Sequence, residues 1–407
     1  MATFTNRQGS LAGAEPKDQR KVRAMPQDKL SIAIVGAGMG GLAAAATLQL
    51  FGVGVQVYEQ ATQFGRVGAG IQMMPNSMKV LRGIGVEAEL RQAAFAPKSH
   101  LNRIGDTGEV TNELAMPEDR YGAPYLCLHR ATLHSALARA IPAERLHLGH
   151  KLAGLEHYDG YIELVFDNGV RAQADAVVGA DGVHSVARDI ILGAEQRPYN
   201  RGRVAYRAVF PASLLGGLDL GNSRTKWWGT DRHVVIYYTS AARDEVYFVT
   251  SVPEPLEWMT PESWSTTGDM SVLRRAYDDF HEDVRAVLDA CPSCHKWAIL
   301  EREPLPRWSA GRVVLLGDAC HPMTPYMAQG AATSIEDAAI LARCLAEVDS
   351  GGVEGAFHRY EAHRKPRTSR IQAISSANTW MQSTEPDTDW LYGYDAWNVA
   401  LSETRSN

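Results

Sequence analysis

The chain has 407 residues, of which 45% are hydrophobic and 22% are charged. This ordinary globular composition predicts two or three domains with a large core. The formal net charge of −6 gives no reason to expect nucleic acid or an anionic membrane surface as a partner. The apolar stretches are interrupted before they reach the length of about 18 residues that a membrane-spanning helix needs.

Five cysteines and the absence of an export signal predict reduced thiols and a cytoplasmic location. Cys291, Cys294 and His295 match the spacing of a haem c attachment site. That chemistry takes place outside the cytoplasm, and no second ligand pair for zinc lies nearby. We therefore predict no metal site and place this stretch in a loop after a helix. Residues 1–29, polar and mixed in charge, predict a flexible tail.

The first elements after the tail predict a βαβ unit. An almost continuous apolar run at residues 30–35 is typical of a buried parallel strand. A Gly-rich turn follows, then an Ala/Leu-rich helix at about 41–51 and a second strand at 53–59. The next predicted elements are a helix at 133–140 and a short strand at 145–148.

A hairpin is predicted from residues 161–166 and 170–174, because the intervening Asp167-Asn168-Gly169 suits a type I′ turn. Another buried strand is expected at 176–179. Three β-rich stretches separated by turns then predict an antiparallel sheet at 204–210, 233–239 and 245–252. The remaining predictions are a helix at 271–290, a parallel strand at 312–316, and helices at 330–348 and 353–379.

The turn at residues 36–41 contains the pattern GxGxxG between a strand and a helix, and the second strand ends in Glu59. Gly36 permits the tight turn, Gly38 lets the backbone approach a pyrophosphate, and Gly41 allows close helix–strand packing. The helix N-terminus then offers free N–H groups and a favourable dipole to the phosphates. The pattern predicts a dinucleotide whose ribose hydroxyls bind Glu59, but it does not separate FAD from NAD.

Three further motifs resemble the p-hydroxybenzoate hydroxylase-like flavoprotein monooxygenases. Residues 66–71 (RVGAGI) resemble the loop that wraps FAD in that family. Residues 175–185 resemble its DG motif, and residues 317–322 (GDACHP) resemble its GD motif. With the glycine turn, these motifs occur in the family's order from position 34 to 332.

The resemblance implies an α/β fold with a Rossmann-type, glutathione-reductase-like FAD domain, an inserted β-sheet substrate domain and C-terminal helices. The implied FAD domain comprises residues 30–97, 124–197 and 305–349. The implied substrate domain comprises residues 98–123 and 198–304, and a helical segment covers 350–407. The implied cofactor contacts are Gly36, Gly38, Met39, Gly41, Glu59, Gln60, Arg66, Ala69, Arg130, Asp181, Asp318, Pro325, Gln329, Gly330 and Ala331.

The same resemblance implies the chemistry of the group. NADH or NADPH would reduce FAD, and O2 would form a flavin C4a-hydroperoxide that attacks an electron-rich ring. The helix that begins near Gly330 would direct its N-terminal field at the flavin and stabilise its anionic reduced form.

One branch, the 6-hydroxynicotinate 3-monooxygenases, is similar over more of the chain. The matching stretches are residues 226–228, 231–233, 237–238, 243–245, 247–250, 377–380 and 392–395. The branch's pocket His and Tyr correspond to His233 and Tyr237, which a strand would place on one face.

Three other pocket positions depart from the branch. Gln72 replaces a His, Arg224 replaces a Cys and Tyr326 replaces a His, and all three are predicted to bind the substrate. Arg224 is either a fork for a carboxylate or, as the polar loop before it favours, a solvated arginine. Trp227, Trp228 and Met327 are candidates for apolar pocket walls, although core packing explains aromatic residues equally well.

The implied reaction needs an ionised ring hydroxyl. Tyr237 is the predicted group that takes or shares this proton, with a neutral His233 poised near physiological pH as its partner or as a substrate anchor. The predicted substrate is a small aromatic ring, a hydroxypyridine carboxylate such as 6-hydroxynicotinate or 6-hydroxypicolinate, with decarboxylation left open. The alternatives are a salicylate-type hydroxylase and a flavin NADH oxidase or reductase. A homodimer is also kept open.

Overall fold

The computed structural model describes residues 30–65, 68–195, 197–254, 266–378 and 387–401. Several sequence predictions fall wholly or partly on residues outside these ranges: the tail at 1–29, Arg66 and residue 67 of its motif, and the ends of the 353–379 helix and of the 377–380 stretch.

The described residues form strands that fall into four sheets. The strands are β1 (Ser31–Val35), β2 (Gly54–Glu59), β3 (Gly70–Met73), β4 (Ser99–Ile104), β5 (Val110–Ala115), β6 (Leu126–His129), β7 (Leu146–Leu148), β8 (Leu152–Tyr158), β9 (Tyr161–Phe166), β10 (Arg171–Ala174), β11 (Ala176–Gly179), β12 (Tyr199–Pro211), β13 (Arg224–Trp228), β14 (His233–Tyr238), β15 (Glu245–Pro253), β16 (Thr267–Gly268), β17 (Cys294–Glu301), β18 (Ser309–Ala310) and β19 (Val313–Leu315).

The helices lie mainly against the first sheet and at the end of the chain. They are α1 (Met39–Leu50), α2 (Pro75–Ile84), α3 (Glu87–Ala93), α4 (Glu118–Tyr121), α5 (Arg130–Arg139), α6 (Val186–Leu192), α7 (Met270–Ala276), α8 (Glu282–Ala290), α9 (Gly330–Leu345), α10 (Val353–Ala377) and α11 (Asp389–Tyr392). Among the described residues, no helix combines the length and apolarity needed to cross a membrane.

The first sheet is built around the predicted βαβ unit, which the structure confirms as β1, α1 and β2. Its order is β18-β19-β11-β1-β2-β7, and its strands are parallel except for β18. Ile32 and Ile34 are fully buried at its centre, as expected for a parallel sheet that is covered on both faces. The Ala-rich α1 allows close packing against α9.

The glycines of the turn after β1 have different reasons to be there. Gly36 has a φ of +102°, and a Cβ at this position would clash with the Ala180 carbonyl oxygen. A Cβ on Gly41 would clash with the Gly36 carbonyl oxygen. A Cβ on Gly38 would meet no atom within 4 Å. The chain itself therefore requires Gly36 and Gly41, while Gly38 opens onto free space.

The second large sheet has eight strands in the order β16-β17-β12-β15-β14-β13-β4-β5. The pair β13–β4 is parallel, and the other pairs are antiparallel. The predicted antiparallel strands at 204–210, 233–239 and 245–252 are confirmed as parts of β12, β14 and β15. Residues 98–123 are far in sequence from the other strands of this sheet, and they contribute β4 and β5 to it.

One face of the eight-stranded sheet collects polar side chains. Residues paired across neighbouring strands share a face: Arg224 is paired with His100, Trp228 with His233, and His233 with Ser251. Side chains alternate along each strand, so every second residue of β13 and β14 joins this set. The face carries His100, Arg224, Lys226, Trp228, His233, Tyr237 and Ser251.

The hairpin at β9 and β10 is confirmed, but the predicted type I′ turn is wrong. That turn needs a positive φ at both central residues, and in the loop 167–169 only Gly169 has one, at +81°. The Gly169 N–H donates to the Phe166 carbonyl, which is the three-residue loop with a left-handed glycine. Asn168 stabilises the loop through its side chain instead, whose amide oxygen accepts a hydrogen bond from the Val170 N–H at 2.9 Å.

The predicted helix at 271–290 is two helices, because α7 ends at Ala276 and a second helix starts after His281. The Asp269 carboxylate caps α7, and the His281 ring caps α8. The intervening Tyr277 is fully buried and donates to the His233 carbonyl at 2.9 Å. Tyr277 thus fixes the backbone of β14 at a residue of the polar face.

The Cys291–His295 stretch is only partly a loop, because Cys294 and His295 begin β17. The loop prediction is wrong for these two residues: they pair with Gly268 and Thr267 of β16. Both thiols are free and buried.

A buried ionic cluster joins α9 to α10. The Arg364 guanidinium donates to Asp337 at 2.6 Å and to Glu336 at 2.7 Å, and these three side chains are fully buried. Arg367 adds a contact of 2.8 Å to Glu336, and His321 lies 2.5 Å from the other Asp337 oxygen. Burial opposes ionisation, but the two arginines hold the pKa of Glu336 below its ordinary value. His321 and Arg364 do the same for the pKa of Asp337.

Replacing Arg364 with Met should lower the free energy of unfolding at neutral pH by about 3–5 kcal/mol, because two buried carboxylates lose a partner. The deficit should shrink as the pH falls. Wild type then loses the stability supplied by carboxylates of depressed pKa, and the variant's carboxylates protonate. Denaturant unfolding across the acidic range measures both effects. Exposed Arg285→Met is the control, and an equal loss in the two variants would contradict the role of the cluster.

Candidate functional site

A small cavity opens over the polar face of the eight-stranded sheet. The lining residues come from β3, β4, β13, the 3₁₀ turn Pro325–Met327 and α11. They are Gln72, Met74, His100, Arg224, Lys226, Tyr326, Met327, Ala328 and Tyr392.

On one side of the fold lies the glycine turn with the N-terminus of α1, which has no side-chain cap and no acidic residue in its first turn. Met39 begins the helix and is buried. Glu59 ends β2, and its carboxylate accepts from the Ala37 N–H at 2.7 Å and the Ala61 N–H at 2.8 Å. These bonds order the turn and fix Glu59 beside it. Gln60 is exposed next to it.

The predicted DG motif packs directly on this turn, since Ala180 contacts Gly36. Asp181 is half-buried and accepts from the Ser185 hydroxyl at 2.5 Å and the Ala187 N–H at 3.1 Å. Burial raises the pKa of Asp181 in spite of these bonds. The carboxylate therefore organises the start of α6, which sequence reasoning had not foreseen.

The GD motif and Arg130 converge from distant parts of the sequence. Asp318 lies exposed in the 3₁₀ turn Gly317–Ala319. Burial lowers the pKa of Arg130, and the nearby Asp318 carboxylate opposes that shift. The Arg130 N–H donates to the Ala69 carbonyl at 2.8 Å, so the start of α5 is tied to β3. The fold thus gathers Ala69, Arg130 and Asp318 at one place.

The N-terminus of α9 faces the same region. Gly330 begins the helix after Gln329, with no side-chain cap, and Asp318 lies over its first turn. Buried Gln329 accepts from Asn76 at 3.0 Å, but its own Nε2 has no partner among the described residues. Pro325 starts the preceding 3₁₀ turn, and Ala331 follows Gly330.

These features fit a dinucleotide cofactor. Two uncapped helix N-termini supply free N–H groups for anionic or electron-rich atoms. The open space beside Gly38 and the unpartnered Gln329 amide are further places where a ligand atom would satisfy the chain.

The substrate side is formed by β14 and its neighbours, where His233 and Tyr237 lie on one face as predicted. Tyr237 is buried, with its ring 5.1 Å from that of Tyr247. Gly70 of β3 packs so closely that a Cβ there would meet both tyrosines. Burial raises the pKa of Tyr237 well above its ordinary value. Tyr237 is therefore a protonated hydrogen-bond donor at neutral pH.

His233 is neutral, but the expectation that it is poised near physiological pH is wrong. Burial, together with the charges of Lys226, Arg203 and Arg224, lowers its pKa well below the ordinary value. The ring lies 5.4 Å from that of Tyr326. His233 thus acts as a neutral donor or acceptor across the physiological range.

Gln72 and Tyr326 both line the cavity, as predicted. The Gln72 amide oxygen accepts from the Tyr125 hydroxyl at 2.6 Å. The Tyr326 hydroxyl lies 3.0 Å from Ser251 Oγ. Hydrogen bonds therefore fix the orientation of both side chains.

The favoured interpretation of Arg224 as a solvated loop residue is wrong. Arg224 begins β13, is only 5% exposed and lines the cavity. Its Nε and Nη1 atoms have no partner among the described residues. Arg224 is paired with His100 of β4, and this register turns the Arg224 side chain towards the cavity. Because the pairing depends on a distant part of the chain, the polar residues just before Arg224 do not reveal it.

The three residues suggested as pocket walls lie in different places. Met327 lines the cavity. Trp227 faces the opposite side of the sheet, where its ring stacks on His281 at 5.3 Å, so its assignment to the pocket wall is wrong. Trp228 lies on the cavity face under the Lys226 ammonium, at 3.6 Å.

Sequence reasoning missed five cavity residues, of which three, Lys226, His100 and Tyr392, carry polar groups and two, Met74 and Ala328, are apolar. The alternation of Arg224, Lys226 and Trp228 along β13 was the available signal for Lys226. Nothing local marks His100 or Tyr392, because β4 and α11 are brought to the cavity from distant parts of the chain.

Comparisons with known proteins identify the family and the fold. The model of the FAD binding domain family matches residues 29–375. The chain is 42% identical to a 6-hydroxynicotinate 3-monooxygenase of Bordetella bronchiseptica, over 93% of this chain and 99% of the relative. It is 44% identical to that of Pseudomonas fluorescens, over 92% and 97%. A salicylate hydroxylase substrate complex shares the fold, with a TM-score of 0.79, 23% identity and coverage of 91% and 97%.

Replacing Asp318 with Ala should weaken FAD retention by about 10- to 100-fold, since a hydrogen bond to a charged group contributes about 1.5–3 kcal/mol. The ratio of flavin to protein absorbance after gel filtration measures the loss. Exposed Asp106→Ala, on the loop after β4, is the control. A fully yellow Asp318 variant with wild-type FAD affinity would remove this residue from the cofactor site.

Proposed function

The chain belongs to the FAD binding domain family of flavin-dependent aromatic-ring monooxygenases, and from this premise we propose that it uses NAD(P)H and O2 to hydroxylate a hydroxypyridine carboxylate. The observation that carries the proposal is the cavity itself. It is lined by the buried guanidinium of Arg224, whose Nε and Nη1 atoms have no partner among the described residues, and its lining residue Tyr326 packs against the His233 ring.

The proposed FAD contacts are those around the glycine turn, the DG and GD motifs and the start of α9. Bound FAD, reduced by NAD(P)H and reacting with O2, supplies an electrophilic oxygen atom. The α1 N-terminus would bind the phosphates, Glu59 the ribose and Asp318 the ribityl chain. The α9 N-terminus would stabilise negative charge on the reduced ring system.

Support for the two-unit organisation comes from the sheets. Segments 98–123 and 198–304 contribute the eight-stranded sheet, while the six-stranded sheet takes its strands from 30–97, 124–197 and 305–349. We propose these as substrate and FAD units, with 350–407 as the C-terminal segment. The five free, buried cysteines support a reducing, cytoplasmic compartment.

Arg224 is the proposed carboxylate anchor. A guanidinium presents a planar fork that matches a carboxylate. Buried, unpaired charges are costly, so an anion that fills the site is bound with a large electrostatic gain. The same anchor would also accept a hydroxybenzoate, so salicylate belongs among the test compounds.

Tyr237 and His233 are proposed to orient the ring. The raised pKa makes the Tyr237 hydroxyl a donor to the ring oxygen rather than a group that removes its proton. His233, held neutral by its surroundings, offers one donor and one acceptor to the ring or to its nitrogen. Met327 and Trp228 help to exclude water.

The function is tested by following NADH and NADPH oxidation with 6-hydroxynicotinate, 6-hydroxypicolinate and salicylate, and by measuring the molecular masses of the products. We expect a hydroxypyridine carboxylate to accelerate oxidation and to yield one hydroxylated product for each NAD(P)H. Loss of the carboxyl mass would show decarboxylation. If no ring compound accelerates oxidation, or if only peroxide forms, the hydroxylase proposal fails and an oxidase or reductase takes its place.

Replacing Tyr237 with Phe should lower kcat for hydroxylation by about 10- to 100-fold, the value of a lost hydrogen bond to a charged oxygen, while FAD stays bound. Single-turnover oxidation of the reduced enzyme with substrate measures the step. Tyr158→Phe, at an exposed position on β8, is the matched control. Unchanged turnover in the Tyr237 variant would remove this residue from the mechanism.

A further inference from the structure

Lys226 has no role in the function proposed above, although it lies at the centre of the cavity face. Its side chain is only 2% exposed, and it is a cavity-lining residue. Within the described ranges, no hydrogen bond or ion pair involves its ammonium group, which lies over the Trp228 ring at 3.6 Å. Lysine is rarely buried in this way without a partner.

The surroundings of Lys226 disfavour its charged form. Arg224 lies two residues away on the same strand, and Arg203 and Arg224 both act on Lys226 from nearby. Burial is the main cause that lowers the pKa of Lys226 well below its ordinary value, and the two arginine charges lower it further. No carboxylate is among the groups that act on it. The titratable and charged groups around this part of the cavity are His100, Arg203, Arg224, His233 and Tyr326.

The other polar side chains around the cavity are poorer acceptors for the ring proton. Tyr237 is protonated, and burial removes its tendency to ionise. His233 and His100 have pKa values well below the ordinary value, mainly because of burial, so both are weak bases. Gln72 exchanges hydrogen bonds but does not accept a proton.

We propose that Lys226 is the general base that removes the proton from the ring hydroxyl, or from the N–H of its pyridone form, when the substrate binds. The inference rests on the proposed function and names the group that prepares its substrate. The proton passes to the lone pair of the neutral Nζ atom. An ammonium group and a ring oxyanion result, with no change in oxidation state.

This proton transfer removes the electrostatic conflict of the empty cavity. The ammonium formed on Lys226 acquires a neighbouring oxyanion, and Arg224 acquires the substrate carboxylate. The ring enters the oxidation step as a dianion, which is the electron-rich form that attack by an electrophilic oxygen requires. Lysines with a depressed pKa serve as bases in this way in other enzymes.

The test is the ionisation state of bound 6-hydroxynicotinate in the FAD-loaded enzyme, read from ultraviolet difference spectra across pH. In wild type we expect the bound ring to be ionised at neutral pH, where the free ring is not. In Lys226→Met the bound ring should titrate no lower than the free ring. We also expect kcat at neutral pH to fall by about 10²–10⁴-fold and to recover partly as the pH rises.

Two further variants separate the base from a merely structural lysine. Lys226→Arg places a permanent cation beside Trp228 that has no lone pair for a proton, so any ionised ring that it binds must lose its proton to solvent instead of to residue 226. Exposed Lys151→Met should behave as wild type. FAD content and circular dichroism verify that each variant is folded.

The outcomes distinguish this inference from the proposed function. If Lys226→Met binds the ring in the same ionised form as wild type, the base assignment is wrong even where hydroxylation proceeds. If wild type ionises the bound ring through Lys226 but yields no hydroxylated product, the assignment stands and the hydroxylase proposal fails. If wild type binds none of the ring acids, both are overturned.

Discussion

Arg224 and Lys226 are held away from water on one face of the eight-stranded sheet, and among the described residues no carboxylate is paired with either of them. Burying the Arg224 cation without a partner costs several kcal/mol, and the same desolvation drives Lys226 towards its neutral form. The register of β13 against β4 and β14 fixes both side chains in place, so the fold sustains this cost. The cavity is therefore electrostatically incomplete until an anion enters it. That single constraint explains the preference for an acidic ring, the low pKa of His233 and the depressed basicity of Lys226.

The cofactor side is coupled to this cavity through short, buried connections. The 3₁₀ turn Pro325–Met327 carries Tyr326 and Met327 into the cavity and leads directly into α9, whose N-terminus faces the cofactor region. Behind it, the cluster of Glu336, Asp337 and Arg364 secures α9 to α10. Oxidant and ring would thus be positioned by one rigid connection rather than by mobile loops.

Local sequence features predicted the parts of the fold that depend on local physics. The apolar runs and the glycines of the turn after β1 predicted the βαβ unit. The strands of the large sheet were predicted from their β-rich composition and the turns between them. The predictions were wrong where contacts between residues distant in sequence determine the local structure. Strand register turned Arg224 inward and Trp227 outward, the buried Tyr277 and the cap at His281 divided the helix at 271–290, and the Asn168 side chain replaced the expected backbone geometry of its turn. For the same reason, sequence alone gave no role to His100 or Tyr392.

The most direct measurement of the central claim compares how tightly the FAD-loaded protein binds 6-hydroxynicotinate and its carboxamide, 6-hydroxynicotinamide. The two rings differ only in the charge that Arg224 is proposed to pair. The dissociation constant of the amide should be about 10- to 100-fold higher, the value of a charge-assisted hydrogen bond, and Arg224→Met should abolish this difference. Equal affinities in the wild-type protein would contradict the account of the cavity as a site completed by an anionic ring.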